Sequence, residues 1–198
     1  MTEDDAHLIE RRVDGETVYK GSFLTVRRDR VSLPDGSTAA REYVQHPGAV
    51  AVIAMHDDGS LVLVRQHRYP ISKVLLEWPA GKIDAGENTL ACAVRELREE
   101  TGYSAAEWAF AGEIHNAAAY STESLWLWFA RGLTAGPTRL DVGEFVETVS
   151  MSQQQLEALD EAGSLSDVKT LIGLHWLQQW RQGRRTCAWH SAPVTSGL

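Results

Sequence analysis

Three glutamates lie close together in the run RELREE at residues 95–100. Glu96 and Glu99 are three residues apart and Glu96 and Glu100 are four apart, so a helix would project all three carboxylates from one face. Like charges at this spacing repel each other by roughly a few tenths of a kcal/mol per pair, and a divalent cation bound through oxygen would remove that cost. The face is therefore a candidate metal site. The alternative is a solvated face, the commoner role of a glutamate-rich helix.

The residues around these glutamates predict the helix that carries them. Between residues 90 and 97 apolar side chains recur at intervals of three and four, which predicts an amphipathic helix over about 88–101. Gly102 follows directly and is the expected C-cap.

The rest of the chain alternates strand and helix patterns. Residues 17–48 contain two strand-like runs on either side of the turn Pro34-Asp35-Gly36, and a second, more apolar hairpin surrounds the turn at 57–60. The pattern beyond the glutamates predicts strands at 107–114, 124–131 and 144–150 and helices at 153–160 and 167–180. The fold class is therefore mixed α/β.

Composition limits the classes of function. The 198 residues allow one full domain with a small appendage, and the formal net charge of -8 argues against nucleic-acid or anionic-membrane partners. The sequence contains no apolar run of membrane-spanning length, and its start does not resemble a signal peptide, so we expect a cytoplasmic protein. Cys92 and Cys187 are too isolated to predict a disulfide framework or a zinc site.

The spacing of residues 81–103 carries a family resemblance. Gly81, five residues, Glu87, seven residues and then RELREETGY resemble the Nudix box, G-x5-E-x7-R-E-U-x-E-E-x-G-U, at every fixed position. Tyr103 stands where an aliphatic residue is usual. The run EWPAGKIDAGE at 77–87 further resembles the ADP-ribose pyrophosphatase branch of the family.

This resemblance implies a Nudix α/β/α sandwich around a mixed sheet, with an N-terminal β-hairpin subdomain. The expected divisions are a β-rich dimerisation segment at 1–46, a hydrolase domain at 47–182 and a flexible tail at 183–198. The N-terminal extension of similar proteins forms an intertwined homodimer.

The resemblance also implies Mg²⁺-dependent hydrolysis of ADP-ribose or a related nucleoside diphosphate sugar to a nucleoside monophosphate and a sugar phosphate. Many ADP-ribose pyrophosphatases carry a proline a short distance beyond the box, where this chain has Asn116-Ala117-Ala118-Ala119. GDP-mannose or another sugar nucleotide is therefore an alternative substrate. A non-catalytic ADP-ribose-binding module is a further alternative.

The resemblance gives the residues of the box separate roles. Glu96, Glu99 and Glu100, with the main-chain carbonyl of Ala80, would bind Mg²⁺, for which Mn²⁺ is a possible substitute. Glu99 and Glu100 are also counted as catalytic. The expected structural residues of the box are Gly81, Glu87, Arg95 and Gly102, with Glu87 and Arg95 forming a pair.

Candidates outside the box complete the expected site. By the same resemblance, Glu144 in the acidic loop 141–147 is the expected general base, with Glu147 as second choice and a loop carboxylate without a role as the alternative for Glu144. Arg68 is expected on a substrate phosphate, with a surface salt bridge as the alternative, and Glu123 is a candidate for the phosphate region.

Two residues of the N-terminal segment are expected to contact the nucleobase held by a partner subunit. Phe23 and Arg41 could both stack on a base. The alternatives are packing within the hairpin for Phe23 and a charge pair with Glu42 for Arg41.

Overall fold

The computed structural model describes residues 3–22 and 24–192. The chain forms two compact units, of which the first runs to Gly48 and takes in His115–Ser124. The second contains Ala49–Ile114 and the residues from Leu125 onward. The sequence places this division at 46/47 and assigns 115–124 to the larger domain. In the structure 115–124 belongs to the first unit, because the backbone of Val44 forms hydrogen bonds with Tyr120 O and Thr122 N at 2.8 and 3.0 Å.

The first unit contains a three-stranded antiparallel sheet. A short 3₁₀ helix, Glu3–Leu8, precedes the strands β1 (Arg11–Lys20), β2 (Thr25–Ser32) and β3 (Thr38–Gln45), which lie in that order. The turn predicted at Pro34-Asp35-Gly36 joins β2 to β3. The sequence pattern suggests two strand-like runs, one on each side of this turn. In the structure the run before the turn forms two strands, β1 and β2, so the subdomain is a three-stranded meander.

The second unit is built on an eight-stranded mixed sheet. Six strands lie in the order β10-β5-β4-β9-β8-β11, while β6 pairs with β5 and β7 pairs with β4. The β4–β9 pair is parallel and the other pairs are antiparallel. The strands are β4 (Ala49–Met55), β5 (Leu61–Arg68), β6 (Lys73–Glu77), β7 (Ala80–Lys82), β8 (Tyr103–Ile114), β9 (Leu125–Ala135), β10 (Val146–Met151) and β11 (Trp189–Ser191).

Helices cover both faces of this sheet. They are α1 (Thr89–Thr101), α2 (Gln153–Glu161) and α3 (Val168–Arg181). All of β4 is buried, and successive β4 side chains face opposite sides, as the pleat of a strand requires. Val50 and Val52 pack with Leu97 of α1, whereas Ile53 packs with Leu174 of α3. The predicted α/β/α sandwich around a mixed sheet is therefore confirmed.

The helix that carries the three glutamates begins and ends where the sequence predicts. The side chain of Asn88 caps α1 by accepting a hydrogen bond from Ala91 N at 2.9 Å. Gly102 ends the helix at a φ of 75° and donates to Arg98 O at 2.9 Å. A Cβ at residue 102 would also lie 2.2 Å from the carbonyl oxygen of Gly136, so both conformation and space require glycine.

Other elements differ modestly from the sequence expectations. The predicted strands at 107–114 and 124–131 are longer in the structure, as β8 and β9. Within 183–198, which the sequence analysis treats as a flexible tail, Trp189–Ser191 forms a strand against β8. None of the helices in the described part of the chain is long and apolar enough to cross a membrane.

A buried ion-pair network attaches the start of α3 to the sheet. Glu77, only 1% exposed, accepts hydrogen bonds from Nε and Nη2 of Arg68 at 2.8 and 2.6 Å and a further one from the ammonium of Lys169. Lys169 also donates to Asp167, the N-cap of α3, at 2.8 Å. Burial would by itself raise the pKa of Glu77, but the bonds from Arg68 and the charge of Lys169 outweigh it and hold that pKa below its ordinary value.

We expect Glu77→Gln to lower the free energy of unfolding by about 3–5 kcal/mol at neutral pH, because it leaves the buried ammonium of Lys169 and the partly exposed guanidinium of Arg68 without their shared carboxylate. The pKa of Glu77 is lower in the folded chain than its ordinary value of 4.5. This stabilisation is therefore complete above pH 4.5 and is lost as the pH falls through the folded-state pKa. Urea unfolding at several pH values measures the difference between wild type and variant.

The matched control for this prediction is Glu161→Gln, which removes an exposed carboxylate at the end of α2. Its unfolding free energy should stay close to the wild-type value. A wild-type to Glu77→Gln difference that does not shrink in acid would contradict the prediction.

Candidate functional site

One guanidinium, that of Arg95, binds three carboxylates at once. Its Nε and Nη2 donate to the two oxygens of Glu87 at 3.0 and 2.9 Å. Its Nη1 donates to Glu96 at 2.6 Å and to Glu99 at 3.0 Å, and Nη2 also donates to the carbonyl oxygen of Lys82 at 2.9 Å. The hydrogen bonds from Arg95 lower the pKa of Glu87. Arg95 and Glu87 thus hold the 82–87 loop against α1.

Glu100 and Glu96 are crowded with negative charge on the same side of α1. Burial raises the pKa of Glu100 to about 8, and the charges of Glu96 and Glu144 add to that effect, while the hydrogen bond from Ala80 N at 2.9 Å opposes it. Burial also raises the pKa of Glu96 to about 7, against the charge and hydrogen bond of Arg95. Two buried carboxylates with raised pKa values mark a site short of positive charge.

Gly81 lets β7 approach Glu96 closely. A Cβ at residue 81 would lie 1.9 Å from the carboxyl carbon and from one carboxylate oxygen of Glu96. β7 is fixed in turn by its antiparallel pairing with β4, in which Gly81 lies opposite Val50. No larger residue therefore fits unless the Glu96 carboxylate moves.

The donor set of this site fits a divalent cation that prefers oxygen. Glu96, Glu99 and Glu100 supply carboxylates, and Ala80 lies beside Glu100. Across residues 3–22 and 24–192, no three His, Cys, Asp or Glu side chains already converge as metal ligands. Arg95 lies between Glu96 and Glu99 and binds both, so a cation held there would compete with its guanidinium.

The structure separates the two candidate bases. Glu144 lies in the loop before β10, where its carboxylate accepts a hydrogen bond from Asp141 N at 3.3 Å. It lies close enough to α1 for its charge to raise the pKa of both Glu96 and Glu100. Glu147 is on β10, directly opposite Arg65 of β5, and forms a 2.7 Å ion pair with it. Glu144 thus has the better position for a base.

Arg68 has a carboxylate partner and also lies near Glu100 of α1. Its pKa is raised first by the hydrogen bonds to Glu77, and the nearby charge of Glu100 contributes as well. The Arg68 side chain is 40% exposed, whereas Glu77 is fully buried. Both interpretations of Arg68 drawn from the sequence therefore stay open, since an ion pair that uses one edge of a guanidinium leaves its other edge for a ligand.

The candidates in the first unit have partners within that unit. Arg41 donates to Glu10 at 2.8 Å instead of pairing with Glu42. Glu42 lies opposite Arg28 in the β2–β3 register and accepts its hydrogen bond at 2.8 Å. The alternative of an Arg41–Glu42 pair is therefore wrong, because Glu42 pairs with its cross-strand neighbour Arg28 and adjacent residues of a strand point to opposite faces.

Glu123 and Phe23 remain sequence predictions as ligand-binding residues. Glu123 accepts a hydrogen bond from Asn116 at 3.2 Å and lies 3.7 Å from Nδ1 of His46. Phe23 falls outside the described residues.

The sequence analysis missed Glu77 and Lys169. A signal was present, because a lysine in the first turn of a helix is unfavourably placed in the field of the helix dipole and so indicates an acidic partner. The pattern could not show which carboxylate that partner is.

Two family models match consecutive parts of the chain. The NUDIX domain matches residues 45–171, and the nucleoside diphosphate sugar hydrolase N-terminal domain matches residues 10–44. These matches cover segment 81–103 and the β-rich first unit up to β3.

Curated relatives and a solved structure are similar over most of the chain. An ADP-ribose pyrophosphatase from Bacillus subtilis is 34% identical over 86% of this chain and 94% of its own length. A methanol dehydrogenase activator from Bacillus methanolicus is 34% identical over 85% of this chain and 92% of its own length. An ADP-ribose pyrophosphatase from Mycobacterium tuberculosis is 41% identical over 61% of this chain and 59% of its own. The crystal structure of an ADP compounds hydrolase superposes with a TM-score of 0.77 at 24% identity, covering 90% of this chain and 98% of that one, which shows a common fold.

We expect Gly81→Ala to weaken the binding of a divalent cation by about tenfold or more, because the added methyl group displaces the Glu96 carboxylate and misplaced ligands lose affinity. Calorimetric titration with Mg²⁺ or Mn²⁺ measures this. The control is Gly59→Ala in the β4–β5 turn, where the backbone is also strained by the change but the new Cβ has only one ordinary contact, at 3.8 Å. Equal cation affinity in wild type and Gly81→Ala would refute this role of the glycine.

Proposed function

Because this chain belongs to the Nudix hydrolase family, we propose that it hydrolyses the pyrophosphate bond of ADP-ribose with the aid of Mg²⁺, releasing AMP and ribose 5-phosphate. It is a hydrolase that acts on pyrophosphate bonds. The observation that carries the proposal is the crowding of Glu100, which is buried, and Glu96, whose side chain is only 13% exposed: both have raised pKa values, and Gly81 leaves room for the Glu96 carboxylate. ADP-ribose is favoured because several of the relatives, including two of those described above, are ADP-ribose pyrophosphatases.

The proposed cation ligands are the carboxylates of Glu96, Glu99 and Glu100 and the main-chain carbonyl of Ala80. A divalent cation there supplies neutralising charge at the pyrophosphate and makes a water molecule easier to deprotonate. Mg²⁺ suits an all-oxygen donor set, and Mn²⁺ is a possible substitute. A cation there would compete with Arg95 for Glu96 and Glu99, and the two bonds from Arg95 to Glu87 would still hold the loop.

The proposed base is Glu144. Its carboxylate takes the proton of the attacking water while the water oxygen forms a bond to phosphorus and the bridging P–O bond breaks, so that the second phosphate leaves with the bridging oxygen. The loop position of Glu144 supports this role, because its charge is felt at Glu96 and Glu100 while its own carboxylate has only a 3.3 Å backbone bond within the described chain. Glu147, engaged with Arg65, is the weaker candidate.

Arg68 is proposed to bind a substrate phosphate. Two of its N–H groups are occupied by Glu77, and in the described residues no hydrogen bond is formed by its Nη1. A guanidinium with one edge fixed on a carboxylate can offer the other edge to phosphate oxygens.

We also propose that the chain acts as a homodimer through its first unit. All of β1 is exposed, including the apolar side chains of Val13, Val18 and Tyr19. An edge strand with exposed apolar side chains is typical of an interface. Static light scattering of the full chain should give twice the monomer mass, and Val13→Asp combined with Val18→Asp should give the monomer. A wild-type chain that is monomeric at micromolar concentration would contradict the proposal.

A panel of sugar nucleotides with Mg²⁺ tests the reaction. We expect ADP-ribose to be turned over fastest, with GDP-mannose and other nucleoside diphosphate sugars as the competing substrates, and with AMP and ribose 5-phosphate as products. Glu100→Gln should abolish turnover. A chain that cleaves none of the panel, but binds ADP-ribose in a calorimeter, would be a binding module instead.

Two matched variants in the same assay test the base. Glu144→Gln should lower kcat by about a hundredfold, as expected for the loss of a general base, with little change in cation affinity. Glu147→Gln removes a nearby carboxylate of the same type that is paired at the surface, and its kcat should stay within about threefold of wild type. The opposite ranking of the two variants would move the base to Glu147.

A further inference from the structure

We propose that Lys169 is a positioning residue for catalysis: by holding the buried carboxylate of Glu77, it fixes Arg68 in the orientation that binds the diphosphate of the substrate. This inference rests on the proposed function for the identity of the substrate. The residues concerned, Lys169, Glu77 and Arg68, all belong to the second unit.

Glu77 connects the other two residues. One of its oxygens accepts from Arg68 Nε at 2.8 Å, and the other accepts from Arg68 Nη2 at 2.6 Å and also from Lys169 Nζ. The fork of Arg68 therefore lies in the plane of the carboxylate, as a bidentate pair requires. Whatever fixes the Glu77 carboxylate also fixes the plane of the Arg68 guanidinium.

Lys169 and Arg68 differ in their access to solvent. The side chain of Lys169 is 9% exposed and that of Arg68 is 40% exposed. Lys169 is also bonded to Asp167, the residue that caps α3. Lys169 is therefore the buried, immobile cation of the network, while Arg68 is the cation that a ligand can reach.

Arg68 of β5 lies near Glu100 at the end of α1. Thr148 of β10, which lies opposite Val64 of β5, donates to the carbonyl oxygen of Glu100 at 3.3 Å. Glu100 and Arg68 are close enough for each charge to act on the other. Within the described ranges, Nη1 of Arg68 donates no hydrogen bond. A diphosphate bound through a cation on Glu100 would therefore lie near Arg68, whose Nη1 is available to bind it.

Charge gives Lys169 a second effect on the same ligand. Arg68 and Lys169 balance Glu77 and Asp167, so the four groups together are neutral. Without Lys169 they carry one net negative charge in a poorly solvated position, which repels a diphosphate. The loss of Lys169 therefore acts on the binding of the anionic substrate, through both the orientation of Arg68 and the local charge.

The first turn of α3 also holds the segment that leads to Ala80, one of the proposed metal ligands. The indole N–H of Trp78 donates to Thr170 O at 3.2 Å, and the backbone N–H of Trp78 donates to the Thr170 hydroxyl at 3.2 Å. The first turn of α3 thus contacts both Glu77 and Trp78, which lie three and two residues before Ala80. Conservative substitutions at Lys169 are needed to separate its effect on Arg68 from a general loosening of this strand.

The experiment is steady-state kinetics on ADP-ribose at saturating Mg²⁺ for wild type, Lys169→Met and Lys169→Arg. We expect KM to rise by about tenfold in Lys169→Met, with kcat within about threefold of wild type, and we expect Lys169→Arg to recover most of the affinity. The control is Arg184→Met, which removes an exposed positive charge beyond the end of α3 and should leave both constants unchanged.

A double variant shows whether Lys169 acts through Arg68. In an Arg68→Met background the effect on orientation is absent, so Lys169→Met should raise KM by no more than about twofold, through local charge alone. Full additivity of the two effects, or a Lys169→Met variant that is less stable but has wild-type KM, would overturn the proposal. If Lys169→Met does not fold, Lys169→Gln takes its place in every comparison, and the same outcomes decide.

Calorimetric binding of inorganic pyrophosphate with Mg²⁺ separates this inference from the proposed function. Suppose that the wild type does not cleave ADP-ribose but that Lys169→Met binds pyrophosphate more weakly than the wild type does. This result would support the positioning role and reject the proposed substrate. Cleavage of ADP-ribose by the wild type, with KM and pyrophosphate affinity unchanged in Lys169→Met, would reject the positioning role alone.

Discussion

The interaction on which the site depends is the contact of the Arg95 guanidinium with Glu87, Glu96 and Glu99. A helix face with several carboxylates repels itself, and that repulsion grows where the face is buried. Arg95 offsets part of this repulsion at Glu96 and Glu99, while Glu100 is compensated by the backbone N–H of Ala80 and by the charge of Arg68. Burial and the remaining excess of negative charge raise the pKa values of Glu96 and Glu100. A site of this kind is stable enough to fold and still favours the arrival of a cation.

The sheet supplies the rigidity that such a helix needs. The parallel β4–β9 pair lies at the centre, and β4 is buried along its whole length between α1 and α3. Because β7 pairs with β4, the backbone at Gly81 is fixed against the same strand on which α1 packs. The approach of Gly81 to Glu96 is therefore determined by the core. This is why a glycine with no need for an unusual φ is nevertheless required there.

A second network extends from the opposite face of the sheet. The first turn of α3 contacts Glu77 and Trp78, and Glu77 in turn holds Arg68 of β5. A buried ion pair contributes little net stability compared with an apolar packing of the same volume, because both charges lose their hydration. The contribution of this ion pair is to orient Arg68, because a guanidinium fixed along one edge presents its other edge at a defined angle. In a hydrolase that binds a pyrophosphate, that orientation is a reason to keep charges in the core.

The sequence by itself determined the glutamate-bearing helix, its cap at Gly102 and the mixed α/β class, because periodicity, capping and turn chemistry depend on residues within one or two helical turns of each other. The α/β/α sandwich followed from the resemblance of segment 81–103 to the Nudix box. It left Glu144 and Glu147 as rival bases, and it did not identify Lys169. Only the tertiary structure decided that Glu147 pairs with Arg65 and that Lys169 binds Glu77, a residue 92 positions away. The same limit explains Arg41, whose partner proved to be Glu10 instead of its neighbour Glu42. A charged side chain takes its partner from strand register and from the packing of helices on the sheet, and these bring together residues that no local pattern connects.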